Sequence, residues 1–223
     1  ETQALIAELR RQGGMTLRLN FDPLACIWNG RPPIPQGKIE LQSLEYAGET
    51  SASKLCRLRE ALRQKHCDGM LMSALDDIAW TLNLRGTDVH CNPVFVSYLV
   101  IEPEKAVLFI EESKLTPAVS AYLESIPVVL RPYEKVGNYL RKEYFAYNIL
   151  LDPNETNSCL VAYAREGNAS VVMAESPVPM MKAVKNESEI QGFRNAMLRD
   201  GVAMVRFLKW LVPAVKGGNE TEI

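Results

Sequence analysis

Apolar residues along this chain alternate between helical and strand spacing. Leu5, Ile6 and Leu9 stand among charged residues over positions 1–12 and are followed by Gly13-Gly14, which predicts a short amphipathic helix closed by glycine and belonging to something upstream. Between Asn20 and Gly48 lies Asn29-Gly30-Arg31-Pro32-Pro33-Ile34-Pro35, whose prolines hold the backbone extended and predict an interdomain connector. From Ser51 the pattern becomes regular. Ser51 or Ser53 caps a helix carrying Leu55, Leu58 and Leu62, Gly69 to Met72 reads as a short buried strand, and Leu75 to Leu82 as a second helix. Asp76 and Asp77 fall near the positive N-terminus of that helix, as a cap and a dipole partner.

Val94 to Ile101 and Ala106 to Ile110 read as strands joined by Glu102-Pro103-Glu104-Lys105, a length that suits an antiparallel hairpin, so the sheet is expected to be mixed. Three helix-then-strand alternations follow: Leu115 to Leu123 before Val128-Val129-Leu130, Val136 to Tyr144 before Ile149-Leu150-Leu151, and Leu160 to Arg165 before Val171-Val172-Met173. The expected fold class is α/β, a mixed sheet with helices on its faces. After Ser176-Pro177-Val178-Pro179 a long helix from Glu187 to Val212 repeats Ile190, Phe193, Met197, Met204, Leu208 and Leu211, with Pro213 and Gly217-Gly218 to end it. A stripe of that length requires another surface to cover it.

Composition narrows the class. Among 223 residues 47% are hydrophobic and 23% charged, enough apolar surface for a sizeable core. The 25 basic and 27 acidic residues are scattered, which argues against a nucleic-acid-binding face or a polybasic membrane anchor. The longest apolar runs fall far short of the ~20 residues that a spanning helix needs. Cys26, Cys56, Cys67, Cys91 and Cys159 are odd in number and widely spaced, so neither a disulfide framework nor a zinc cluster is indicated, and a reducing compartment is expected. Both ends read as cut: Glu1 opens directly into a helical pattern, and Asn219 to Ile223 begins another element.

Candidate chemistry is sparse. Of two histidines, His66 ends a helix, where a dipole or surface role is usual, while His90 sits in a polar loop with Asn83, Arg85, Asp88 and Asn92. Loops at strand ends are where α/β sheets hold ligands. The competing structural account has Asp88 and Asn92 satisfying turn amides, Arg85 pairing with Asp88, and Trp80 packed in the core. His90 and Cys91 are neighbours on a segment expected to be extended, so they face apart and make a poor thiolate pair. No metal-ligand spacing and no phosphate-loop fingerprint occurs. From the residues alone, the chain is a supporting α/β domain with one polar loop.

Four separated stretches resemble the long, three-domain form of Xaa-Pro aminopeptidase (aminopeptidase P). They are Ile27-Trp28-Asn29-Gly30-Arg31-Pro32-Pro33; Ala74-Leu75-Asp76-Asp77-Ile78-Ala79-Trp80-Thr81-Leu82-Asn83-Leu84-Arg85-Gly86-Thr87-Asp88 with Asn92-Pro93-Val94-Phe95-Val96-Ser97-Tyr98; Lys182-Ala183-Val184-Lys185-Asn186; and Arg199-Asp200-Gly201-Val202-Ala203 with Lys216-Gly217-Gly218. The resemblance implies a creatinase N-terminal-domain-like mixed sheet plus a long C-terminal helix that begins a truncated pita-bread domain. It divides the chain into 1–48, the tail of a preceding domain and linker; 49–183, the creatinase-like domain; and 184–223, the start of the catalytic domain.

The resemblance further implies a parent that removes the N-terminal residue from peptides with proline second, using two divalent ions, usually manganese, on ligands outside this chain. No catalytic or metal-binding residue is then expected here. Arg85 and His90 are expected to line the substrate cleft. Expected partners are proline-containing peptides, the chain's own missing catalytic domain and a second subunit in a cytoplasmic homodimer, with no nucleic acid or membrane. A catalytically dead relative that binds peptides or proteins is the alternative left open.

Overall fold

The computed structural model describes residues 2–13, 23–144, 148–167 and 169–218. Gly14, residues 20–22 of the connector and the terminal element at 219–223 lie outside the described residues. The first helix, α1 (Thr2–Gln12), stops at Gly13, whose φ of 72° and N–H bond to the Arg10 carbonyl make the expected glycine terminus. The proline-rich stretch carries no helix or strand from Arg31 to Ile39, but Ile39 is fully buried and β1 (Glu40–Leu41) and α2 (Leu44–Ala47) follow at once. The end of the predicted connector is therefore packed structure.

Helix α3 (Ser51–Gln64) is capped by neither predicted serine. The Thr50 side chain accepts from the Ser53 N–H, while Ser51 is buried and its hydroxyl meets that of Tyr122. Next come β2 (Gly69–Met72), α4 (Leu75–Leu82), β3 (Leu84–Arg85), β4 (Tyr98–Ile101) and β5 (Ala106–Phe109). The apolar run at Val94 is core but not ladder: Val94 and Phe95 are buried, yet Asp88 captures the Val96 N–H and Val94 bonds back to Asn92, so pairing begins only at Tyr98. The remaining elements are α5 (Pro117–Glu124), β6 (Val128–Arg131), α6 (Val136–Lys142), β7 (Asn148–Leu151), α7 (Ser158–Glu166), β8 (Ser170–Met173), α8 (Val178–Ala183) and α9 (Glu187–Gly217).

The main sheet has the order β6-β5-β4-β2-β7-β8, and β1 pairs with β3 in a separate ribbon. β4 runs antiparallel to both β2 and β5, whereas β5/β6, β2/β7 and β7/β8 are parallel, so five strands share one direction and β4 opposes them. The mixed sheet is as expected. Alternation along each strand feeds two cores. Met70, Met72, Leu99, Ile101 and Leu108 face α3, α4 and α5 through Leu55, Leu58, Ile78 and Val119. Leu71, Val100, Val107, Ile149 and Leu151 face α6 and α7 through Leu140, Leu160 and Ala164.

Helix α9 differs from prediction at its end. It passes through Pro213, which lacks the N–H for one intrahelical bond, and stops at Gly217 with Gly218 left-handed at φ 72°. None of its described residues is buried. Met197 is 67% exposed and Leu198 71%, and Phe193, Met204, Leu208 and Trp210 also stand in the open.

Candidate functional site

All loops at the carboxyl ends of the five co-directional strands, together with the segment 86–97 that enters β4, lie along one edge of the sheet. The polar loop singled out by sequence is there. Its conformation is fixed by Asp88, which accepts from the Gly37 N–H (3.3 Å) and the Val96 N–H (2.7 Å) and pairs with Lys114. Both members of that ion pair have fully buried side chains. The predicted pairing of Arg85 with Asp88 is thus replaced by one across 26 residues. Residues Val89 to Asn92 form a tight turn with Cys91 at φ 58°, not the extended segment expected. His90 and Cys91 are both exposed there, in an open depression of about 350 Å³ lined with Thr87, Asn92 and Pro93.

Arg85 does not line that depression. Its guanidinium donates to the carbonyls of Ala79 (3.1 Å) and Leu84 (2.8 Å), placing positive charge at the C-terminal end of α4. Burial lowers its pKa, and the nearby Glu189 carboxylate opposes that shift. The two sequence-predicted site residues therefore occupy different surroundings. His66 follows α3 in a left-handed conformation at φ 56° and is exposed.

Neither Asp76 nor Asp77 is the N-cap residue, although the Asp76 carboxylate does accept from first-turn amides of α4. Position Ala74 is the N-cap of α4, and both carboxylates also receive the Lys182 ammonium from α8. Burial raises the Asp77 pKa against the pull of Lys182, and the second oxygen of Asp77 is buried without a partner among the described residues. Asp152 and Glu155 approach from the end of β7. Burial, then the charges of Asp77, Asp152 and Asp76, push the Glu155 carboxyl up to about 7. These carboxylates do not suit a metal: the Lys182 ammonium already occupies the cationic position, and Asp152 accepts from the Asn154 and Ser176 N–H groups. Among the described residues no three His, Cys, Asp or Glu side chains converge on one point.

Sequence reasoning missed three features. A second hollow of about 740 Å³ opens beyond β5 and β6, floored by Leu115 and Leu130 and rimmed by Glu111, Glu112, Glu124 and Glu134. Lys114 carries no sequence signal at all. Lys54 does: Ser51, Lys54, Leu55, Leu58 and Leu62 share one face of α3, and Lys54 is indeed buried, donating to the Trp80 carbonyl (2.9 Å) and the Asn83 side chain (2.7 Å). Burial drives its pKa down to about 8, with Glu189 and Glu49 resisting.

Residues 30–189 match the Creatinase/Prolidase N-terminal domain family over most of the chain. The chain belongs to that family. Within the creatinase/prolidase family it is similar to Xaa-Pro aminopeptidase 1 of Dictyostelium discoideum, 40% identical over 181 residues that make up 81% of this chain and 28% of the relative. It is also similar to a probable Xaa-Pro aminopeptidase P of Trichophyton verrucosum, 34% identical over 100% of this chain and 33% of the relative. Its fold matches the crystal structure of X-prolyl aminopeptidase from Caenorhabditis elegans, described as a cytosolic enzyme with a di-nuclear active site. That match has a TM-score of 0.86 and 31% identity, and covers 97% of this chain and 36% of the other. A Xaa-Pro dipeptidase from Bacillus anthracis shares the fold at a TM-score of 0.59 and 16% identity, covering 72% of this chain and 44% of that one. The chain thus spans about a third of the length of the aminopeptidases it matches, 28% to 36%.

Proposed function

We propose that this chain is the non-catalytic, creatinase-like part of a cytoplasmic Xaa-Pro aminopeptidase. Residues 1–48 are the tail of a preceding domain with its connector, 49–183 the α/β domain, and 184–223 the opening of a pita-bread catalytic domain. The whole enzyme removes the residue before a penultimate proline, acts as a homodimer, and holds two divalent ions, manganese, on residues outside this chain. The likeness to the C. elegans enzyme across nearly the whole chain carries the reading. The uncovered apolar faces of α9 support it, since patches of that size rarely remain open to water.

In this reading the chain contributes no nucleophile, acid or base. Its edge of loops borders the substrate path, with His90 presented from the exposed turn and Arg85 set behind it. The test uses the full-length polypeptide that carries this chain, supplied with manganese and a Xaa-Pro-containing tripeptide. Release of the N-terminal residue is expected from it and not from the 223-residue chain alone. Absence of release with retained peptide binding would identify a binding relative instead.

A further inference from the structure

The Leu75–Arg85 segment, the most distinctive motif of the sequence, carries the Trp80 indole, which bonds the first turn of α9, and Asp76 and Asp77, which bond Lys182 of α8. The Asn186 side chain caps that helix by accepting from the Glu189 N–H, and Glu189 returns the bond to the Asn186 N–H, both at 3.0 Å. Each residue then uses its remaining polar atom outward. The Asn186 amide donates to the Ala47 carbonyl at the end of α2 (2.8 Å), and the other Glu189 oxygen accepts from the Trp80 indole N–H (3.2 Å), a contact spanning 109 residues.

Behind Trp80 lies a layer that holds it. The Lys54 ammonium sits 4.2 Å from the indole centroid while bonding the Trp80 carbonyl and Asn83, and Asn83 donates to the Glu49 carbonyl (2.8 Å). The Glu189 carboxylate lies near enough for its charge to act on both Lys54 and Arg85. One turn upstream, Lys182 ties α8 to Asp76 and Asp77. Gly48 completes the fit: at φ 67°, a Cβ there would lie 2.2 Å from the Asn186 side-chain oxygen.

The leverage of this joint is large. At 1.5 Å per residue the 31-residue helix is about 46 Å long, so a tilt of about 10° at its first turn displaces its far end by about 8 Å. No residue of α9 is fully buried; its first turn is half-buried at residues 188–190 and packs against α2, so what restrains the helix among the described residues is concentrated at that end. We infer that Glu189, gripped by the Trp80 indole and backed by Lys54 and Arg85, is a positioning residue that fixes the direction in which α9 leaves the sheet domain. Joined to the proposed function, on which its catalytic consequence rests, the motif sets where the metal-bearing part stands relative to the loop edge.

The joint is tested first in the 223-residue chain. Nitroxides are attached through p-acetylphenylalanine at the exposed Lys65 and Arg206, leaving the native thiols untouched, and the dipolar distance distribution is recorded. A single narrow distribution is expected for the parent chain. Trp80→Phe, which leaves the capping box of α9 intact, and Glu189→Ala should each broaden it by about twofold or more. Glu189→Gln, which still offers one oxygen to the indole, should broaden it less. Unchanged width in Trp80→Phe and Glu189→Ala overturns the inference. In the full-length polypeptide, Trp80→Phe should lower kcat on the Xaa-Pro tripeptide by about tenfold, with KM held within about twofold, because it displaces groups without removing a substrate contact. A full-length parent that hydrolyses nothing defeats the proposed function and leaves the distance measurement to judge the joint. Hydrolysis that persists at the parental kcat in Trp80→Phe defeats the positioning role.

Discussion

Lys114→Met tests whether the loop that carries His90 is held by a buried ion pair. Methionine keeps most of the lysine stem and deletes the ammonium, leaving the Asp88 carboxylate enclosed with only the Gly37 and Val96 amides for compensation. Breaking a buried pair from one side costs about 3–5 kcal/mol, because the surviving charge keeps its desolvation penalty and loses its counter-ion. For a chain of this size that corresponds to a fall of about 6–20 °C in melting temperature. Asp88→Asn should be costly for the mirror-image reason, since it strands the ammonium. The double variant Lys114→Met/Asp88→Asn carries no buried charge and should fall short of the summed single costs by about 1–3 kcal/mol. Urea unfolding followed by far-ultraviolet circular dichroism gives the three energies, and hydrogen exchange at the Val96 and Gly37 amides locates the loosening. A cost below about 1 kcal/mol for Lys114→Met, or strict additivity in the double variant, would refute the reasoning.

Gly48→Ala should destabilise by about 2 kcal/mol in urea unfolding, combining the left-handed backbone cost with displacement of the Asn186 cap. Glu155 gives a pH signature. Its folded pKa of about 7 exceeds the ordinary 4.5, so its contribution is complete below the ordinary value and is lost as pH rises through about 7. Glu155→Gln should therefore melt higher than the parent chain at pH 8 and relatively less so at pH 4, and melting curves across that range check the sign. His90→Ala removes an exposed side chain from a turn and should change stability by less than about 0.5 kcal/mol, while raising KM in the full-length polypeptide if the depression borders the substrate.

What could be read from sequence depended on how local its cause was. The β4–β5 hairpin and the helix–strand alternations that follow it rest on turn length and apolar spacing within about ten residues, and they appear where periodicity put them. The start of β4 moved to Tyr98 because a carboxylate eight residues away takes the Val96 amide, a competition that alternation cannot reveal. Helix α9 outlasted Pro213 since one missing bond does not end a helix with its remaining ladder intact. At the candidate site the motif was visible but its direction was not. Trp80 and Asp77 look like core and cap in isolation, and their partners Glu189 and Lys182 lie more than a hundred residues along the chain. Lys54 was missed although it falls on the same helical face of α3 as Leu55, Leu58 and Leu62, which makes a lysine at an apolar-stripe position a usable sign of a buried cation.

The lone reversed strand β4 divides the labour of the sheet. Among the described residues the long segment 86–97 falls on one edge, and the other edge carries short connections such as Glu102 to Lys105, whose tip at Pro103 and Glu104 is exposed. A strand of four residues spans about 13 Å, which separates that tip from the loop edge by roughly the thickness of the sheet along its strands. An affinity handle, a fluorophore or a permuted terminus grafted between Pro103 and Glu104 would leave the loop edge unobstructed.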